Sequence, residues 1–301
     1  MDGQSGAPPD PFSDDGQNWG FPTYNWEKMA EDGYLWWKNR MRQLARYFDA
    51  YRIDHILGFF RIWEIPFDQV DGLLGTFNPA IPIDIQEFSE KGLVFDAKRF
   101  CQPFINNSIL KQLFGAEADF IKIHFLDEQA DGSYLFKPEL DNQKKIRTFL
   151  TDEIWQDKKE EILKPLYQLV GNVLFIRDKA DPQNKFHPRI EIEKTLSFQA
   201  LDGKTQTAVR DLYYDYFYNR QETFWREQAM KKLPALRKAT DMLICGEDLG
   251  MVPQSVPGVM QELNILSLEI QRMSKNPATE FLSEADILHN MSNQSSLIES
   301  C

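Results

Sequence analysis

The sequence predicts an α/β protein built from βα units, with a mainly helical region set into it, and three observations lead there. Apolar positions spaced three and four residues apart give way to short strand-like runs near residues 34–55 and again near 225–270. Both runs end in charged residues, Arg52-Ile53-Asp54-His55 and Gly246-Glu247-Asp248, where the carboxyl end of a βα strand carries functional groups. The stretch between them follows neither period: it mixes short apolar pieces with charge-rich runs such as 152–164 and turn signals such as Asp131-Gly132 and Asp202-Gly203. The chain's 301 residues suffice for about two domains, or for one large α/β barrel.

Taken in order, residues 1–26 read as an ordered loop. Gly6, Pro8, Pro9, Pro11, Gly16, Gly20 and Pro22 oppose regular structure, while Phe12, Trp19 and Phe21 give the loop something to bury. Tyr34, Trp37, Met41, Leu44 and Phe48 draw one stripe along an amphipathic helix. Residues 50–55 then form a strand, with Ala50, Arg52 and Asp54 on one face and Tyr51, Ile53 and His55 on the other. Trp225, Ala229, Leu233 and Leu236 mark a second helix, which Pro234 should kink or restart. Residues 242–245 form a buried strand, and a third strand covers 265–270 with a helix between them. These divisions give a βα-type segment over 1–70, an inserted subdomain over 71–212 and a second βα-type segment from 213; a family resemblance carried by the motifs given below makes both segments barrel pieces, sets the end of the second at 281 and leaves a tail over 282–301.

Composition excludes several classes. The longest uncharged apolar runs are strand-length, short of the ~20 residues a bilayer span needs. A net charge of −12 repels phosphate backbones, and Lys231-Lys232 is too small to make a basic groove, so nucleic acid is no partner. Cys101, Cys245 and Cys301 are odd in number and widely spaced, and no signal peptide or Arg-rich presequence leads the chain, which suggests a reduced cytoplasmic protein without structural zinc. Cys245 reads as strand core, since no nearby base would activate it. Trp19, Tyr24, Trp26, Tyr34, Trp36, Trp37 and Trp63 crowd the N-terminal region. Sugar rings present flat C–H faces to such aromatics, although for any single one core packing is the commoner fate.

Two carboxylates stand out. Asp54 has Arg52 beside it, a positive neighbour that favours the ionised form a nucleophile needs. Glu247 follows an apolar strand and a glycine, a desolvating setting that suits a general acid. Such a pair about 5 Å apart is what retaining glycosidic chemistry uses. His55 fits a structural imidazole as well as a sugar-hydroxyl ligand, and Asp248, facing away from Glu247, fits a role on local backbone amides.

Five motifs then carry a resemblance. Gly6-Ala7-Pro8-Pro9-Asp10, the run from Gly16-Gln17-Asn18-Trp19 to Tyr24, Tyr34-Leu35-Trp36-Trp37, Arg52-Ile53-Asp54-His55 and Gly246-Glu247-Asp248-Leu249-Gly250 resemble, in order, the amylomaltases, 4-α-glucanotransferases of glycoside hydrolase family 77. The resemblance implies a (β/α)8 barrel of the α-amylase clan. It makes Asp54 the nucleophile and Glu247 the acid/base, with Arg52 orienting Asp54. It also implies substrate contacts for His55 and Tyr24, and an acceptor-side loop around Asp10, Phe12 and Trp19. The separation of the two carboxylates, 247 − 54 = 193 residues, together with Phe186-His187-Pro188-Arg189 and the run 212–217, resembles the cytosolic plant-type disproportionating subgroup with its long insertion. Expected substrates are therefore maltose, maltooligosaccharides and a glycogen- or starch-like glucan, with no metal or other cofactor. The family's first barrel strands would precede the Gly6 loop, and its His-Asp motif is not met at His289-Asn290, so the chain is expected to be an incomplete barrel that leans on missing portions for stability. A glucan hydrolase of the same clan and an inactive glucan-binding fragment are the alternatives.

Overall fold

The computed structural model describes residues 3–10, 13–152 and 155–268. They fall into two compact units, one formed by residues up to Thr23 together with Trp63–Arg220, the other by Tyr24–Ile62 together with the described residues from Gln221 onward.

The second unit is a small parallel α/β layer. Its strand order is Ile265–Ser267, Leu243–Gly246, Ala50–Ile53, all parallel, with Leu243–Gly246 in the middle. Helix Ser255–Glu262 links the first two as a βαβ crossover and buries Val256, Val259 and Met260. Helix Glu222–Arg237 buries Trp225, Ala229, Leu233 and Leu236, the stripe the spacing predicts. It continues through Pro234 instead of restarting there. The apolar stripe is buried on both sides of the proline, and that packing outweighs the hydrogen bond its ring removes. Gly246 is required where the strand meets this layer: a Cβ there would lie 2.6 Å from Ile56 Cδ1.

Two expectations in this unit need correction. The helix predicted from Tyr34 runs Leu35–Leu44, so Phe48 lies beyond it and is exposed. The 3.6-residue rhythm overruns the point where packing stops. The strand predicted as buried is buried on one face: Ile244 and Gly246 are covered, while Leu243 is 48% exposed and Cys245 is half-buried. Parallel sheets are ordinarily covered on both faces. Here Ala50 and Arg52 share the open face with Leu243. The third strand begins at Ile265 as expected but ends at Ser267, short of the predicted 270, with Leu268 already outside it; Phe12, His289 and the tail over 282–301 lie outside the described residues.

The first unit corrects the reading of residues 1–26 as irregular. Gly3–Ala7 and Gln17–Pro22 pair antiparallel, and Gly3–Ala7 also pairs with Ile62–Pro66, whose other neighbour is Thr76–Asn78. Glycine makes that ladder possible: a Cβ on Gly6 would fall 2.0 Å from the Gln17 carbonyl. Pro22 sits at the ladder's end, opposite Gln4, where its missing N–H matters least. Between 97 and 170 the unit is mainly helical, with one antiparallel hairpin of Leu126–Glu128 and Tyr134–Phe136, and Leu110, Ile121, Phe125, Ile146, Leu150, Leu166 and Leu169 close one core. Side-chain caps hold the helix starts, with Asn106 on Ile109 N, Asn142 on Lys145 N, and a capping box between Asp84 and Glu87. A second, aromatic cluster joins Phe88, Phe95, Phe100, Phe175 and Phe186 around the antiparallel strands Ile83–Asp84, Lys185–Pro188 and Phe175–Arg177. Glu64, buried on Ile62–Pro66, takes a hydrogen bond of 2.7 Å from Asn78 and an ion pair from Lys179.

No helix among the described residues is long and apolar enough to cross a membrane.

Candidate active site

The register of the parallel sheet brings the two carboxylates to one level. Gly246 stands opposite Ile53 at the carboxyl ends of the middle strand and its neighbour, so Asp54 and Glu247 each step off one residue later, on strands about 4.8 Å apart. The ladder continues past the strand ends: Glu247 N donates to Ile53 O at 2.9 Å, and Ile56 N donates to Glu247 O at 2.9 Å.

The two side chains have opposite settings. Glu247 is 16% exposed, and its oxygens accept hydrogen bonds from His55 N at 2.9 Å and Leu249 N at 3.0 Å. Asp54 is 82% exposed and pairs with Arg52 at 3.2 Å, Oδ1 accepting from Nη2. The Arg52 and Asp54 side chains are therefore neighbours, as alternation predicts, but on the open face of the sheet instead of in an enclosed pocket. The strand predicted over 50–55 ends at Ile53, so His55 follows it in a turn and takes no face of the strand.

His55 adopts φ 48, a left-handed conformation that costs a non-glycine residue on the order of 1 kcal/mol or more. That turn sends the chain from the strand into the 3-10 segment Ile56–Phe59 and aims the His55 amide at Glu247. The imidazole Nδ1 lies 4.0 Å from Glu247 Oε2. Burial, with the Arg61 charge adding to it, pushes the ring down to about 4, so it is neutral at pH 7. Asp248 is buried and accepts from Leu268 N at 3.1 Å, a backbone amide as expected, though one twenty residues away at the end of the third strand.

Sequence reasoning missed two buried cations behind this site. Arg61, set between Phe60 and Ile62 in an apolar run, stacks over Trp225 at 5.3 Å and donates to the carbonyl of Met251, in the loop that follows Glu247. Lys232 donates to Phe59 O at 2.7 Å, sits 4.9 Å over Trp26, and is pushed by burial, with Lys231 adding to it, down to about 7. Each pins a backbone segment that follows a catalytic candidate. The available signal was a lone charge in an apolar stretch for Arg61, and a lysine one position before Leu233 on the buried stripe for Lys232.

Tyr24 is 50% exposed and belongs to an aromatic cluster with Trp26, Trp36 and Trp37 at centroid distances of 5.3, 6.2 and 5.4 Å. Asp10 and Trp19 belong to the other unit, where Asp10 accepts from Ser13 N at 3.0 Å and Trp19 Nε1 donates to Gln17 at 3.0 Å.

Comparison with known proteins gives this pair its context. The family model described as 4-alpha-glucanotransferase matches residues 1–300. The chain belongs to the 4-alpha-glucanotransferase family. It is 46% identical over 285 residues to the 4-alpha-glucanotransferase DPE2 of Oryza sativa subsp. japonica, covering 93% of this chain and 30% of the rice protein. A 4-alpha-glucanotransferase of Chlamydia pneumoniae is 52% identical over 58 residues, which are 19% of this chain and 11% of that protein. A chloroplastic/amyloplastic 4-alpha-glucanotransferase of Solanum tuberosum is 45% identical over 74 residues, 25% of this chain and 13% of that protein. The chain thus spans less than a third of the length of each of these relatives.

Proposed function

We propose that this chain supplies the nucleophile and the acid/base of a 4-α-glucanotransferase that moves α-1,4-linked glucosyl units by a retaining double displacement. The observation that carries this reading is the register placing Asp54 and Glu247 one step beyond opposed residues of neighbouring parallel strands. An Asp54 oxygen attacks the anomeric carbon while Glu247 gives its proton to the departing 4-oxygen, leaving a glucosyl ester on Asp54. Glu247, now ionised, takes the proton of an acceptor 4-hydroxyl as that oxygen displaces Asp54, so the anomeric configuration is inverted twice and retained. The two amide hydrogen bonds to Glu247 take one lone pair on each oxygen and leave another to carry the proton it donates. Arg52 orients Asp54, and the neutral His55 ring serves as a partner for a sugar hydroxyl.

In this reading the three parallel strands are part of a (β/α)8 barrel, and the open face bearing Ala50, Arg52 and Leu243 becomes its interior when the rest of the protein closes the sheet. Donors are maltose and maltooligosaccharides, the acceptor is a glycogen- or starch-like glucan, and the reaction belongs in the cytoplasm. Tyr24, half exposed on its aromatic cluster, offers a platform for a sugar ring.

The test is product analysis with the full-length protein, maltose and glycogen. Transfer releases glucose and lengthens glycogen chains, and Asp54→Asn abolishes both. Glucose without elongation would make the protein a hydrolase, and turnover that survives Asp54→Asn would remove Asp54 from the mechanism.

A further inference from the structure

The chain that carries Glu247 runs as a loop over 247–254, from the end of strand Leu243–Gly246 to the start of helix Ser255–Glu262. Its first residue is set by two amides, His55 N on Oε2 and Leu249 N on Oε1. Two residues past Leu249, the Met251 carbonyl accepts from Arg61 Nη2. At the loop's far end Glu222, the first residue of helix Glu222–Arg237, takes one amide on each oxygen, Gln254 N and Ser255 N, both at 3.0 Å. Side chains thus grip the loop at 251, 254 and 255, and the Leu249 amide that fixes Glu247 lies just inside that grip.

A buried cation is an unusual choice for this task. Arg61 lies over the face of Trp225, three residues along the helix from Glu222. Burial pushes its guanidinium down to about 9 while the Glu222 charge acts the other way, so it is a cation at pH 7. A methionine would fill the same space with no charge to desolvate, and apolar replacements of buried ion pairs are often neutral or stabilising. Stability alone therefore does not call for arginine at 61. What arginine supplies is direction, because its planar fork stacks on an indole and aims a donor at a fixed point. Here that point is the Met251 carbonyl, in the field of the carboxylate that grips the loop's other end.

We propose that Arg61, backed by Glu222, is a positioning residue for the acid/base, fixing the 247–255 segment so that the Glu247 carboxyl meets the departing 4-oxygen at bonding distance. It acts through the loop, and the role rests on the function proposed above for Glu247.

The test separates the acid step from the rest of the reaction by leaving group, in the full-length protein. Release of glucose from maltose needs the proton of Glu247, whereas an α-glucosyl fluoride loses fluoride anion to attack by the Asp54 oxygen without one. Arg61→Met is expected to lower kcat on maltose roughly 10- to 100-fold and to move KM less than about 3-fold, since a displaced acid loses transition-state stabilisation and not ground-state binding. The first-turnover burst of fluoride should slow less than about 3-fold, a split that a general loosening of the fold would not produce. Arg61→Lys, which keeps a charge and a donor, should recover part of the maltose rate. Glu222→Gln leaves one acceptor where there were two and should show the same split at roughly 3- to 10-fold, the worth of one hydrogen bond; it decides the question if Arg61→Met does not fold. Equal losses on maltose and fluoride, or maltose turnover unchanged in both Arg61→Met and Glu222→Gln, would overturn the proposal. Failure of the transferase reading shows differently, as a fluoride burst that survives Asp54→Asn.

Discussion

The helical region over 97–170 and the parallel sheet of the second unit solve the same burial problem with different success. In the helical region Leu110, Ile121, Ile146 and Leu166 are wholly covered by neighbours from the same stretch of chain. In the sheet, helices cover Ile244, Ile53 and Ile265, and the opposite face leaves Leu243 48% exposed and Arg52 and Asp54 in solvent. The part that closes on itself bears no catalytic candidate. The part that stays open bears both, because strand ends and an uncovered face are where a substrate can reach a carboxylate.

This contrast can be broken by paired truncations read by urea unfolding. Leu166→Ala should cost about 2–5 kcal/mol, the usual range for a cavity in a closed core. Leu243→Ala, starting half exposed, should cost less than about 1 kcal/mol. Equal losses would mean that the sheet's open face is covered in solution.

A smaller effect comes from acid. His55 is pushed down to about 4 by burial and Arg61, and His187 is lowered by burial although Asp178 and Tyr216 hold its two ring nitrogens at 3.0 and 2.8 Å. The His55 ring is neutral when folded, so between about pH 6.5 and 4 the unfolded chain binds more protons and stability falls as pH falls, and the lowered His187 acts in the same direction. For His55 the loss is on the order of 2–3 kcal/mol by pH 4. Melting temperatures measured across that window should drop, and His55→Gln should flatten part of the slope. A slope unchanged by His55→Gln would place that ring in water.

The smallest effect on stability belongs to Arg52. Its pair with Asp54 is exposed, so Arg52→Ala should change unfolding free energy by no more than about 0.5 kcal/mol. The same substitution in the full-length protein should cut kcat by roughly 10-fold or more, since the carboxylate loses its orienting cation. A large stability loss would mean that the pair is structural.

The strand leading to Asp54 was legible because alternation is local: Ala50 and Arg52 are exposed and Ile53 is buried, as spacing assigns them, although the strand stops at Ile53. The stripe Trp225, Ala229, Leu233 and Leu236 was legible for the same reason. What the sequence did not disclose depends on partners far along the chain. The ladder of Gly3–Ala7 exists because Ile62–Pro66 lies beside it, and no local rule reports a neighbour some sixty residues away. The exposure of Asp54 depends on what covers the sheet, and the hydrogen bond to Glu247 Oε2 depends on the left-handed turn at His55. Arg61 and Lys232 were passed over because residue type alone places a cation at the surface, whereas Trp225, Trp26 and the carbonyls of Met251 and Phe59 compensate their burial.

Covalent trapping addresses the nucleophile directly. Full-length protein carrying Glu247→Gln, treated with an α-glucosyl fluoride whose departure needs no proton, should accumulate a glucosyl ester on the peptide containing Asp54, read by peptide mass spectrometry. An ester on any other residue, or rapid turnover with none, would contradict the assignment of Asp54 and Glu247 as a working pair.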